Sequence, residues 1–184
     1  MKIYFAGGLF DHKELAGNAL LAAAIVELSD GKYECILPQN FESRGKHPKD
    51  VRNADIDALL SCDAALFNYD GTELDSGTVV EYMFAKFADK PAVLLRTDFR
   101  GGGDCADIDG CSPWNLMSSF YPRTRTLILN AGEIYAKNGR DYQAAIREIA
   151  DRVVKELDFV TKTASTMPPD CREKIDKWLS IIMK

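Results

Sequence analysis

The sequence has no concentrated positive charge. Its 23 Lys and Arg are outnumbered by 28 Asp and Glu, giving a net charge of −5, and the two signs are mixed along the chain. The one modest cluster, Arg96, Arg100, Arg123 and Arg125, is interrupted by Asp98 and Asp104. Neutralising a phosphate backbone takes a clustered basic surface, so nucleic acid is not an expected partner. No apolar run approaches the roughly 20 residues that cross a bilayer, so no membrane partner is expected either. Met1 leads directly into Lys2-Ile-Tyr-Phe5, which reads as a short buried strand and lacks the regions of a signal peptide. The expected location is the cytoplasm. The five cysteines are odd in number and have neither CxxC spacing nor a histidine cluster beside them. That argues for free thiols rather than disulfides or zinc, with Cys105 and Cys111 sharing one loop. A GxGxxG turn after the first strand is missing, and no acidic residue ends the second, which excludes a dinucleotide fingerprint. No metal or cofactor is expected.

What remains is an ordinary globular composition, 46% hydrophobic and 28% charged over 184 residues, enough for one full core. Short apolar strands alternate with segments of helical period, the pattern of an α/β protein with a parallel sheet. Strands are expected at Lys2–Phe5, Tyr33–Leu37, Ala64–Asn68, Ala92–Leu95 and Leu127–Leu129. Helices are expected at Lys13–Leu28, Asp50–Leu60, Gly77–Ala88, Asp141–Leu157 and Asp170–Ile182. Gly31 lies just past the first helix, Pro91 stops the third, and Trp178, Leu179 and Ile182 give the last an apolar side. Thr97–Pro113, with Gly101-Gly102-Gly103 and Gly110, reads as a long loop without apolar period and a candidate lid. The expected architecture is a single doubly wound, flavodoxin-like, five-stranded parallel sheet flanked by helices, with an extra C-terminal helix. Residues 1–160 would form the main domain and 161–184 the helical extension.

Ligands of an open parallel sheet bind beyond the carboxyl ends of its strands. Those ends carry Gly7-Gly8-Leu9-Phe10, Pro38-Gln39-Asn40, Tyr69-Asp70-Gly71 and Thr97-Asp98. Gly7 and Gly8 suit either close approach to a ligand or a tight strand-to-helix turn. Asp75 reads as a helix N-cap or as a carboxylate at the site. Glu81, in the largely apolar run Val79–Ala85, is either a solvent-facing glutamate with Lys86 nearby or a reactive carboxylate. Asp55 alone reads as a solvated charge, and Asp57 as an ordinary surface residue. Taken together, Asp55, Asp75 and Glu81 could set two or three carboxylates around one pocket. Retaining glycosidic chemistry needs that set, one carboxylate attacking the anomeric carbon while another group handles the leaving group's proton.

Several pieces in order resemble the nucleoside 2-deoxyribosyltransferase family. They are Ile3-Tyr-Phe-Ala-Gly-Gly-Leu-Phe10, Leu37-Pro-Gln-Asn40, Asp55-Ile-Asp-Ala-Leu-Leu-Ser-Cys-Asp63, Asp70-Gly-Thr-Glu-Leu-Asp-Ser-Gly-Thr-Val-Val-Glu81, Thr97-Asp-Phe-Arg100 and Asn115-Leu-Met117. They span roughly residues 2–130. The resemblance implies that Glu81 is the nucleophile of a covalent deoxyribosyl-enzyme, with Asp75 and Asp55 holding the nucleoside and assisting proton transfer. It also implies a pocket wall at Tyr4, Gly7 and Phe10, further substrate contacts at Gln39, Asp70, Gly77 and Met117, and an Asn115 supplied by a neighbouring subunit. Expected partners are 2'-deoxynucleosides, free nucleobases and further copies of the chain, as a dimer or hexamer. Gly8 departs from the proline of many relatives, and Pro168–Lys184 continues past the end of short ones.

Two other functions remain open on the sequence. One is hydrolysis of 2'-deoxynucleoside 5'-monophosphates by the same glutamate, although Gly7–His12 offers an acid where a phosphate wants a cation. The other is a non-catalytic nucleoside-binding module, which would not need the three carboxylates.

Overall fold

The computed structural model describes residues 1–41, 46–101, 110 and 112–182. Five strands form one parallel sheet in the order β2-β1-β3-β4-β5: β1 (Lys2–Ala6), β2 (Glu34–Ile36), β3 (Ala64–Asn68), β4 (Ala92–Arg96) and β5 (Thr124–Ile128). This is the doubly wound, flavodoxin-like arrangement expected. Its helices are α1 (His12–Leu28), α2 (Pro48–Ser61), α3 (Ser76–Phe87), α4 (Ala131–Lys137), α5 (Tyr142–Lys162) and α6 (Pro169–Ile182).

Alternation along each strand divides the core in two. Ile3, Phe5, Leu66, Val93 and Leu95 face α1 and α5, while Tyr4, Ala65, Phe67 and Leu94 face α2 and α3. A central parallel strand is buried on both faces, which is why β3 and β4 read as unbroken apolar runs. β5 is one of the two edge strands, and its Thr-Arg-Thr start hid it. It begins at Thr124 rather than Leu127, where Tyr82 donates to Thr124 Oγ1 at 3.2 Å and Arg125 pairs with Glu156 at 2.7 Å. An edge strand has one neighbour and tolerates such residues.

Helix ends follow local chemistry. Asp11 caps α1 with Glu14 closing the capping box, and Asp30 and Gly31 leave that helix with positive φ. The α4 helix was not anticipated. Seven residues are too few to show a period, and its visible cue was Asn130 with Glu133 at the cap. Helix α5 continues past Leu157 to Lys162, burying Ile149, Val153, Leu157 and Val160 on one stripe.

Helix α6 buries Leu179 but leaves Trp178 and Ile182 exposed, so the three do not form one packed side. The segment leading into it is fastened by Asp89. That carboxylate pairs with Arg123 at 2.8 Å and accepts from the hydroxyls of Ser165 and Thr166 at 2.5 and 3.1 Å. Burial alone would raise the Asp89 pKa, but those hydroxyls and the guanidinium together hold it below its usual value. Most of the expected lid, residues 102–109 and 111 with Cys105 and Cys111, lies outside the described residues. Cys35, Cys62 and Cys171 are free thiols. No helix among the described residues is long and apolar enough to cross a membrane.

Candidate active site

The loop between β3 and α3 is fixed before any ligand arrives. Asp70 accepts from the Thr97 amide and hydroxyl and from the Asp98 amide, bolting this loop to the one after β4. Buried Arg96 donates to the carbonyls of Tyr69, Gly71 and Arg100, at 2.5, 3.1 and 2.9 Å. The four arginines noted in the sequence therefore part company. Arg96 braces this loop, Arg100 pairs with Asp98, and Arg123 and Arg125 pair with Asp89 and Glu156. In the sequence Arg96 shows only as a charge. Its position at the end of a buried strand was the available cue.

Asp75 then starts α3. Its Oδ2 accepts from the Thr78 amide at 2.7 Å and from the Thr78 hydroxyl at 2.8 Å, the N-cap arrangement. From that cap the helix turns Glu81 toward β1, where Oε1 accepts from the Tyr4 hydroxyl at 2.6 Å. Glu81, Asp55, Gly77 and Ser76 line one open cavity of about 450 Å³. Its other walls are mainly apolar, with Pro48, Val51 and Ile56 from α2 and Val80 from α3. Glu81 does not contact Lys86, whose amine bonds to the Pro122 carbonyl and Thr124 hydroxyl at 3.1 Å each.

The electrostatics are uneven. Burial pushes the Glu81 pKa up to about 7, against the Tyr4 hydrogen bond, with the like charges of Asp55 and Asp75 adding to the rise. Burial also raises Asp55. Tyr4 is held far above its usual range, first by burial and then by the Glu81 charge and hydrogen bond, so its phenol remains a donor. A carboxylate poised near neutrality in a cavity can act as nucleophile or as acid and base.

The other sequence candidates fall around this centre. Gly7 lies where β1 and β3 end close together, and a side chain there would meet Asn68 Cβ at 3.0 Å. Gln39 bonds internally, donating to the Leu15 carbonyl at 3.0 Å and accepting from Asn18 at 3.3 Å. Asp70 is likewise used inside the protein. Phe10 is 78% exposed beyond β1. Asn115 and Met117 border a second, larger cavity of about 770 Å³, which meets the first at Ser76 and Val80. Asn115 caps a short 3₁₀ turn there, accepting from the Met117 amide at 2.9 Å. Among the described residues no group of three or more His, Cys, Asp or Glu could hold a metal ion.

Comparison with known proteins bears on the fold and the family. Among solved structures, a conserved protein from Enterococcus faecalis V583 superposes with a TM-score of 0.55 at 24% identity, covering 86% of this chain and 98% of that one. The 2-deoxyribosyltransferase of Leishmania mexicana superposes with a TM-score of 0.52 at 21% identity, covering 82% and 97%. At such identities these likenesses speak to the fold. No curated protein sequence matches the chain. The family profile described as nucleoside 2-deoxyribosyltransferase matches residues 3–117, from the strand bearing Tyr4 to the turn bearing Met117. The chain, with its half-buried glutamate held by a tyrosine at the carboxyl edge of a five-stranded parallel sheet, belongs to the nucleoside 2-deoxyribosyltransferase family.

Proposed function

We propose that the protein exchanges the base of 2'-deoxynucleosides, with Glu81 as nucleophile, in the salvage of purine or pyrimidine nucleosides. The observation that carries this reading is the Tyr4–Glu81 hydrogen bond at the wall of a nucleoside-sized cavity. The ionised Glu81 oxygen bonds to C1' as the C1'–N bond breaks, and the electron pair of that bond leaves with the base. Asp55, which lines the same cavity, passes a proton taken up from water to the departing base. An incoming base then attacks C1', breaks the ester to Glu81 and returns a proton to Asp55, so two inversions give net retention. Water taking the place of that base gives slow hydrolysis. Tyr4 keeps the glutamate in one orientation throughout, and Asp75, fixed at the helix cap, adds negative charge beside a sugar that becomes cationic in the transition state.

The same reading makes the protein a homo-oligomer, a dimer or hexamer, in which Asn115 of a neighbouring copy reaches the Glu81 cavity. In support, Asn115, Leu116 and Met117 are all exposed. Unphosphorylated nucleosides are favoured over 5'-monophosphates because the chain's own carboxylates take the amides at the start of α1. Asp11 accepts from Lys13 and Glu14, and Glu14 accepts from Phe10 and Asp11. No vacant anion cradle is left at that helix end.

The decisive assay incubates the protein with one 2'-deoxynucleoside and a second free base. The exchanged nucleoside should appear, and a deoxyribose adduct should be found by denaturing mass spectrometry on the peptide containing Glu81. Hydrolysis without exchange, or an adduct elsewhere, overturns the reading. Mixing Glu81→Ala with Asn115→Ala subunits should restore activity, whereas failure despite proven subunit exchange returns Asn115 to its own subunit.

A further inference from the structure

The Glu81 cavity contains a side chain that the proposed chemistry leaves unused. Arg52 lies on α2 three residues before Asp55, so the two share one helical face, and both line the cavity. Among the described residues lining it, Arg52 is the single cation. Its guanidinium is held on one edge: Nε and Nη2 both donate to Asn53 Oδ1, at 3.0 and 2.6 Å. On this exposed side chain those bonds occupy the Nε side of the group and leave the Nη1–Nη2 edge to another acceptor. Pro48, Val51 and Val80 supply apolar walls nearby. A planar fork beside apolar surface suits a flat heteroaromatic ring bearing two neighbouring acceptors.

The geometry points to Arg52 as the residue that reads the base, selecting a 6-oxopurine, hypoxanthine or guanine, over adenine and the pyrimidines. This assignment rests on reading the cavity as the nucleoside site. A 6-oxopurine offers O6 and N7 as adjacent acceptors on one edge, at the spacing of the guanidinium fork. Adenine places an amino donor beside N7, which sets N–H against N–H, and pyrimidines have no N7. The same contact assists the reaction, because a departing 6-oxopurine gathers negative charge along the edge where the guanidinium lies. A lysine in the same place would supply charge without the fork.

The test uses full-length protein carrying Glu81→Ala, which binds nucleoside without forming the covalent intermediate. Calorimetric titration compares 2'-deoxyinosine, 2'-deoxyadenosine and 2'-deoxyinosine 5'-monophosphate in that background and in the double variants with Arg52→Gln and Arg52→Lys. Deoxyinosine should bind about tenfold more tightly than deoxyadenosine, and both double variants should bring the ratio close to one through loss of deoxyinosine affinity alone. An absent preference, a preference that survives Arg52→Gln, or one retained by Arg52→Lys overturns the assignment. So does a loss confined to the monophosphate, which would give Arg52 to a phosphate instead. Failure here leaves base exchange by the wild type intact, and failure of exchange leaves this binding ratio unaffected, so the two ideas fall separately.

Discussion

Glu81 and Asp89 are carboxylates at opposite ends of one stretch of chain, the first inside α3 and the second just beyond it, and the protein treats them in opposite ways. Asp89 receives a guanidinium and two hydroxyls, and its pKa lies below the usual value despite burial. Glu81 receives one phenol and faces two other carboxylates, and its pKa rises to about 7. Burial disfavours charge at both, so what separates them is the supply of donors. A buried carboxylate with enough partners fastens structure, here the segment leading into α6. One left short of partners is less stable as an anion and more reactive, which is the condition a nucleophile needs.

The largest effect should come from Glu81→Gln. Base exchange should fall by about a thousandfold or more, measured with a deoxynucleoside and an acceptor base. The variant should also be more stable than wild type in mild alkali. The folded-state pKa lies above the ordinary carboxylate value, so ionising Glu81 in the folded protein costs free energy. That cost starts above the unfolded pKa, grows until pH passes about 7, and reaches about 3 kcal/mol. Denaturation of both proteins near pH 4 and near pH 8 checks this. Equal stability at the higher pH would remove the contrast between the two carboxylates.

Asp89→Asn should reverse the pattern. Asparagine tolerates the positive φ of this position, so the change isolates the charge. About 3 kcal/mol of stability should be lost, since Arg123 would stay largely buried without its partner. The specific activity of folded enzyme should change by less than about twofold, as a structural role requires. Because the native pKa of Asp89 is depressed, its contribution is full above the unfolded pKa and fades as pH falls through the folded one. The gap between variant and wild type should therefore narrow in acid.

Two smaller effects sharpen the description of Glu81. The wild-type kcat/KM should rise with pH through about 7 as the nucleophile ionises. Tyr4→Phe removes the one donor that lowers this pKa, so the rise should move to higher pH and activity near neutrality should drop about tenfold. Asp55→Asn removes a like charge, so the rise should move the other way by a fraction of a pH unit, and poor leaving bases should suffer most. A shift of the wrong sign in either pH–rate profile would mean that these neighbours do not set the state of Glu81.

The strands were legible where burial is two-sided. β3 was expected over the range observed, and β1 and β4 to within one residue at their ends, because each is a continuous apolar run. β5 was misplaced because an edge strand can be built from Thr and Arg, and α4 was missed because seven residues show no period. At the site, Glu81 and Asp55 were legible as carboxylates on helices that begin at the sheet's carboxyl edge, and Asp75 as a cap. Tyr4 was expected as pocket wall. Its role as the donor that holds Glu81 was not, because the two meet only across the β1–α3 contact. Asp70 and Gln39 looked like ligand contacts from their positions, yet their side chains bond within the protein. Arg52, beside Asp55, carried no mark in the sequence, since a lone arginine on a helix usually faces solvent.

The sequence by itself determined the alternation of strands and helices, hence the parallel sheet and its carboxyl edge, because periodicity and burial are properties of neighbouring residues. It also determined which acids were present there. Only the tertiary structure decided which acid is raised toward neutrality and which is held ionised. Donor supply is a matter of residues distant in the chain: Tyr4 reaches Glu81, while Arg123, Ser165 and Thr166 converge on Asp89. A pKa depends on that convergence and on the water excluded around it, and neither exists until the chain has folded.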